Sequence, residues 1–201
     1  MGALQDKVAL VTGASSGLGA ETARLLSQQG ATVFGIGRNS QRLADVFAGV
    51  EHGAYSSVEV ASSQACSDAV EQCVREFGGL DVLVNIAGRH QMRRTETMTD
   101  DDWAQDLAVN LNGPFYLCRA ALPHLLERGG SIVNVSSIAG VEGQAGRVPP
   151  SGVNLPAFRL RLCGFSTMPW EPLVWQLFHA RGLPRRWLFR IPTESACATW
   201  T

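Results

Sequence analysis

Short apolar runs and stretches with apolar residues three and four positions apart alternate along the first 136 residues. Val8-Ala9-Leu10-Val11 is an apolar run that ends in a Gly-rich turn, which predicts a strand. Leu18, Thr22, Leu25, Leu26 and Gln29 then recur at helical spacing, and Gly30 follows as a helix stop. Residues 32–36 read as a second strand, 41–46 as a short helix and 54–58 as a weaker third strand. Val70, Cys73, Val74 and Phe77 put one apolar stripe on a helix that ends at Gly78-Gly79. Residues 80–84 form a fourth strand without alternation, as expected when both faces are covered. A long helix follows, with Thr99 as N-cap and Asp100, Asp101 and Asp102 in its positive first turn. It runs through Trp103, Leu107 and Leu111 to Leu126, and stops before Gly129-Gly130. Residues 131–135 make a fifth strand. Strands and helices alternating through tight Gly turns predict an α/β fold, a doubly wound parallel sheet with helices on both faces.

Composition adds a boundary. After about residue 150 the periodicity fails, and residues 151–201 hold four of five tryptophans, five of nine prolines, six Arg and no Lys. Their prolines leave windows too short for stable helices of ordinary length. Net charge is −5 over residues 1–150 and +4 over 151–201. These differences divide the chain into a domain at 1–150 and a C-terminal segment at 151–201. The whole-chain charge of −1 gives no argument for nucleic acid, and no apolar window is long enough for a membrane span. Cys66, Cys73, Cys118, Cys163 and Cys197 contain no C-x-x-C, and the four histidines add no metal-ligand spacing. They read as reduced thiols used as small apolar residues in a cytoplasmic protein, with no metal site.

Thr12-Gly13-Ala14-Ser15-Ser16-Gly17-Leu18-Gly19 lies between a predicted strand and a predicted helix. Glycines there let the backbone turn sharply and approach a pyrophosphate, whose charge the helix N-terminus holds. The strand–turn–helix context makes this a Rossmann-type dinucleotide site. The ribose selector should lie at the end of the second strand, where the chain reads Gly35-Ile36-Gly37-Arg38-Asn39. Gly37 stands where an NAD site would place a carboxylate, and Arg38 suits a 2′-phosphate bidentately. Ser15 and Ser16 add hydroxyl donors. The expected cofactor is NADP(H) rather than NAD(H).

Together, T-G-x-x-x-G-x-G, Asn85-Ile86-Ala87-Gly88 after the fourth strand, Asn110 in the long helix and Ser136-Ser137 after the fifth resemble the short-chain dehydrogenase/reductase family over residues 5–149. The resemblance implies strand order 3-2-1-4-5 and a cofactor site built from Gly13, Ser15, Ser16, Gly17, Leu18, Gly19, Arg38, Glu59, Val60, Asn85, Ala87 and Gly88. It implies interconversion of a small carbonyl and a secondary alcohol, with Ser137 holding the substrate oxygen and Asn110 supporting a proton-relay water. Pro114 lacks an N–H four residues beyond Asn110, which removes the helical partner of that carbonyl. Ile86 replaces the family's usual second Asn, and Glu59 its usual Asp.

In that family a Tyr, tuned by a Lys four residues later, is the proton donor. It is due near position 150, where the chain reads Arg147-Val148-Pro149-Pro150-Ser151-Gly152. Tyr55 and Tyr116 are the only tyrosines and Lys7 the only lysine, so no Tyr-x-x-x-Lys exists in this sequence. The tail after this break has the character of a shifted reading frame or an alternative exon, with a lineage-specific lid as the other reading. Segment 89–97, with Arg89, His90, Arg93 and Arg94, and loop 138–150 are candidates to line a substrate pocket, or are surface. Homo-oligomers, which the resemblance implies, use the long helix and the Tyr-bearing helix. Three functions stay open: an NADP(H)-dependent oxidoreductase impaired as written, a non-catalytic dinucleotide-binding or interaction protein, or a product without stable function.

Overall fold

The computed structural model describes residues 2–89, 91 and 94–136. Among these, five parallel strands form one sheet in the order β3-β2-β1-β4-β5. They are β1 (Val8–Thr12), β2 (Thr32–Gly37), β3 (Gly53–Ser57), β4 (Val82–Asn85) and β5 (Ser131–Asn134). The helices are α1 (Gly17–Gln28), α2 (Ser40–Phe47), α3 (Ser63–Phe77), α4 (Asp100–Leu107) and α5 (Gly113–Arg128). The doubly wound fold and the strand order read from the sequence are both found.

Alternate residues of β1 and β2 serve opposite faces. Val8, Leu10, Phe34 and Ile36 join the core with Val70 and Cys73 of α3 and Leu117, Ala121 and Leu125 of α5. The ring of Phe77 meets Phe34 edge-on at 6.3 Å. On the other face, α1 and α2 pack against β1 and β2. Gly35 makes room there for Phe47 of α2, since a Cβ at position 35 would lie 2.3 Å from the ring. All of β1 is buried, which accounts for its unbroken apolar run.

Two elements differ from the sequence reading by more than one residue at an end. The fourth strand begins at Val82, because Leu80 and Asp81 lead into it. Leu80 is core, while Asp81 accepts hydrogen bonds from the Val8 N–H at 3.0 Å and from Arg128 Nε at 3.2 Å. The expected single long helix is divided into α4 and α5 by a π turn over Ala108–Asn112. Pro114 is the cause on the sequence side: it offers no N–H to the carbonyl of Asn110, so regular α-helical pairing cannot pass that point. The Gly113 N–H reaches back five residues to the Ala108 carbonyl.

The expected Thr99 cap is present in full. Its hydroxyl accepts from the Asp102 N–H, and the Asp102 carboxylate accepts from the Thr99 N–H. The thiols of Cys66, Cys73 and Cys118 are free and buried. Burial, with Glu59 nearby, pushes Cys66 up to about 11. Burial, with Glu76 nearby, pushes Cys73 up to about 12, so both stay protonated and inert at neutral pH. Cys163, Cys197 and the whole 151–201 segment lie outside the described residues. Among the described residues, no helix is long and apolar enough to cross a membrane. Nor do they assemble three or more His, Cys, Asp or Glu into a possible metal site.

Candidate functional site: a cleft at the carboxyl ends of the strands

Connections leave β1 towards β2 on one side and reach β4 on the other, so the chain reverses direction between β1 and β4. A parallel sheet leaves a crevice at such a switch point. A cleft of about 740 Å³ opens there. Gly13, Ser15, Ser16, Leu18 and Gly19 line it from the β1–α1 turn, and Gly37, Arg38, Asn39 and Arg42 from the end of β2. Val58, Glu59 and Val60 follow from β3, and Ile86, Ala87, Gly88, Arg89 and Val109 close the β4 end.

The β1–α1 turn is built around two close approaches. Gly13 has φ +68°, and a Cβ on it would lie 3.1 Å from the backbone of Ala87. A Cβ on Gly19 would lie 2.1 Å from the Gly13 carbonyl oxygen, so α1 can begin this close to the strand only without a side chain there. Gly17, at φ +55°, meets nothing within 4 Å. Ser16 is the N-cap of α1, its side chain makes no capping hydrogen bond, and the first turn contains no acidic residue. The positive end of α1 therefore faces the cleft without a counter-charge of its own. This geometry fits a pyrophosphate: backbone donors, a helix dipole and empty space meet at one point.

At the β2 end, Arg38 is 72% exposed, and its Nη1 lies 3.9 Å from Glu59 Oε2. Such a pair between exposed groups is weak, so Arg38 remains available to an incoming anion. The Asn39 side chain accepts the Arg42 N–H at 2.9 Å, starting α2 so that a second guanidinium, Arg42, also lines the cleft. Arg42 and Asn39 were not among the residues expected from the sequence. Their signal was present in the spacing, since Arg42 follows Arg38 by four positions across a capped helix start.

The β4 end is held by polar side chains beneath the cleft. The Thr12 hydroxyl oxygen accepts two backbone bonds, from the Ile86 N–H at 2.9 Å and the Ala87 N–H at 2.8 Å. Asn85 is buried and does not line the cleft; its Nδ2 donates to Asn134 Oδ1 at 2.8 Å and to Cys118 Sγ at 3.5 Å. Asn110 is also buried, and its side chain grips the backbone of Arg89. Its Oδ1 accepts the Arg89 N–H at 2.8 Å, and its Nδ2 donates to the Arg89 carbonyl at 2.9 Å.

Ten of the twelve expected cofactor residues thus line one cleft; of the other two, Gly17 is exposed outside its lining and Asn85 is buried. Ser137, the expected holder of a substrate oxygen, lies outside the described residues, as do loop 138–150 and His90 and Arg93. Arg94 is exposed and pairs with Glu96.

A family model for the short chain dehydrogenases matches residues 7–150. The chain is similar to a 3beta-hydroxysteroid dehydrogenase of Mediterraneibacter gnavus, 40% identical over 148 residues, covering 71% of this chain and 54% of that protein. It is also similar to an uncharacterized oxidoreductase of Staphylococcus aureus, 36% identical over 145 residues, covering 71% of this chain and 63% of that one. The chain therefore spans between 54% and 63% of the length of these curated relatives. Among solved structures it is similar to an actinorhodin polyketide ketoreductase variant with NADPH, with TM-score 0.69 and 37% identity, covering 73% of this chain and 59% of that one. A candidate short-chain alcohol dehydrogenase from Sinorhizobium meliloti gives TM-score 0.67 and 30% identity, covering 75% of this chain and 60% of that chain.

Proposed function

Because the chain belongs to the short-chain dehydrogenase family, we propose that it binds NADP(H) in the cleft between β1 and β4, as part of an oxidoreductase architecture for carbonyl and secondary-alcohol substrates. One observation carries this reading: the uncapped N-terminus of α1 and the guanidinium groups of Arg38 and Arg42 open on the same cleft. The α1 amides hold the pyrophosphate, and the glycines at 13 and 19 allow the close backbone approaches that bring α1 to the strand end. Arg38 and Arg42 take the 2′-phosphate, while Gly37 removes the carboxylate that would repel it. Glu59 competes for Arg38 at 3.9 Å, and a doubly charged phosphate wins that competition. Thr12 and Asn110 fix the backbone of residues 86, 87 and 89 at the far end of the cleft. When bound, the nicotinamide supplies or accepts the hydride.

The chain's own acid–base chemistry is incomplete. Neither a Tyr after Tyr116 nor any Lys after Lys7 exists in this sequence, so no side-chain acid of the family's kind is available. General acid catalysis contributes on the order of 10²–10⁴ in rate. We read the chain as a dinucleotide-binding protein of the cytoplasm whose carbonyl reduction is slow or absent. Residues 1–150 are its binding domain, and 151–201 add a segment of separate character.

Titration with NADPH and NADH at one stated salt concentration tests the assignment, with a panel of ketones and aldehydes added to the same samples. NADPH should bind at least about tenfold more tightly, the scale of one charge-assisted contact. Arg38→Ala should weaken NADPH specifically, reducing that preference, and leave NADH nearly unchanged. Equal affinities in the parent chain overturn the NADP(H) reading, and turnover at ordinary enzyme rates overturns the impaired one.

A further inference from the structure

At the β4 end of the cleft, Arg89 is held twice. Its backbone N–H and carbonyl are both bound by the Asn110 side chain, at 2.8 Å and 2.9 Å. Its guanidinium reaches α4, where Nε lies 3.0 Å from Asp106 Oδ1 and Nη1 donates to Gln105 Oε1. Asp106 is wholly buried, and Arg89 is its only ion-pair partner among the described residues. Neither Asp106 carboxylate oxygen nor Arg89 Nε makes a hydrogen bond, so charge attraction at 3.0 Å, and not an aligned bond, joins the two groups. Asp106 and Asn110 stand four residues apart on either side of the junction between α4 and the π turn.

A buried carboxylate facing one cation is a poor way to gain stability, because desolvation offsets most of the attraction. It is an effective way to fix a register, since any other placement strands a charge in an apolar interior. Here the fixed object is a backbone segment that lines the cleft: Gly88 and Arg89 are both wall residues. The dinucleotide's ribose selector is at the β2 end, so the wall at 86–89 serves the opposite, nicotinamide end.

We propose that Arg89 and Asp106 are a positioning pair that locks the backbone of residues 88 and 89 onto α4 and thereby fixes the nicotinamide end of the cleft. Neither residue needs to touch the reacting atoms. Asp106 acts through Arg89, and Arg89 acts through its own main chain, which Asn110 secures from the other side. The pair rests on the NADP(H) reading, and a test that separates the two ends of the cleft keeps the two ideas apart.

The full-length chain is titrated with two probes, NADPH and 2′-phospho-ADP-ribose, the same molecule without its nicotinamide. Affinity is measured for both, and the change in nicotinamide fluorescence is followed for NADPH. Asp106→Asn keeps the shape and removes the charge, and Arg89, partly exposed, is left for water to solvate. The variant should bind 2′-phospho-ADP-ribose like the parent, bind NADPH about tenfold more weakly, and lose most of the emission change. Arg89→Lys, which keeps the charge but gives up the Gln105 contact, should fall between the two. An Asp106→Asn protein equal to the parent on both probes overturns the proposal. So does an equal loss on both, which marks a general structural role. If the parent itself binds neither probe, the functional reading fails first and the pair falls with it.

Discussion

The two ends of this parallel sheet treat charge in opposite ways. At the amino ends of the strands, Asp81 is 2% exposed and faces Lys7 at 3.3 Å and Arg128 at 3.2 Å, while accepting the Val8 N–H at 3.0 Å. Every group there has a partner from within the chain, and Lys7, the only lysine, is among them. At the carboxyl ends, Ser16 caps nothing, Arg38 stands mostly in water, and glycines occupy positions where a side chain would fill the turn. Charges already paired inside the fold hold it together. A weakly paired, exposed charge such as Arg38 and an uncapped helix N-terminus are the ones a ligand can use. A parallel sheet produces this division because all its strands point the same way, and the helix N-termini that follow them gather at one end.

The sharpest way to break the open end is Gly19→Ala. The new Cβ would lie 2.1 Å from the Gly13 oxygen and 2.5 Å from its carbonyl carbon, and both are backbone atoms with nowhere to retreat. We expect a loss of about 3 kcal/mol on urea unfolding, with NADPH binding abolished. Retained binding at parental stability would mean that α1 can shift outward and that the close approach is not required.

The closed end calls for the opposite signature. Burial alone would raise the Asp81 carboxyl, but the Val8 N–H and the Arg128 and Lys7 charges together hold it below the usual carboxylate value. Its contribution is therefore complete above the unfolded pKa of about 3.9, and is lost as pH falls through the lower folded value. Asp81→Asn should cost about 2 kcal/mol at pH 7, with dinucleotide affinity unchanged. The stability gap between variant and parent should close as the pH drops below 4. A gap independent of pH from 7 to 3 would show that packing, rather than charge, anchors this corner.

The open end was largely legible in the sequence because its parts are local. Gly13, Gly17 and Gly19 fall within one turn, and Arg38 follows directly on a strand whose apolar run marks its end. What escaped reading depends on pairing between distant segments. Arg38 meets Glu59 because the β2–β3 register sets Gly37 opposite Ser57. Thr12 belonged to the recognised motif, yet its role of accepting two N–H groups from residues 86 and 87 needs β1 and β4 side by side. Asn110 was expected to support a water through its main-chain carbonyl, and what the sequence did not announce is that its side chain engages the backbone of Arg89, 21 positions away. Arg89 read as a pocket-lining candidate or a surface charge, and nothing in the sequence pointed to Asp106, which the fold brings within 3.0 Å of it. The break in the long helix was foreshadowed by Pro114, but a proline alone does not distinguish a kink from the π turn that forms.

The smallest predicted change in stability is also the one that tests the comparison most directly. Ser16 is exposed, extended at φ −169° and ψ 167°, and makes no capping bond to α1. Asp is as good an N-cap as Ser and adds a negative charge at the positive end of the helix. Ser16→Asp should therefore raise stability by about 0.5–1 kcal/mol, because it supplies the internal partner that α1 lacks. The same carboxylate would stand where the pyrophosphate belongs, so NADPH affinity should fall about tenfold or more, and high salt should lessen the penalty by screening the repulsion. Ser16→Asn offers a cap without the charge and should leave affinity within a factor of about two to three. Thermal unfolding and titration on the three proteins decide the matter. If Ser16→Asp stabilises the fold and leaves NADPH binding intact, the anion does not sit at α1, and the open end of the sheet serves some other ligand.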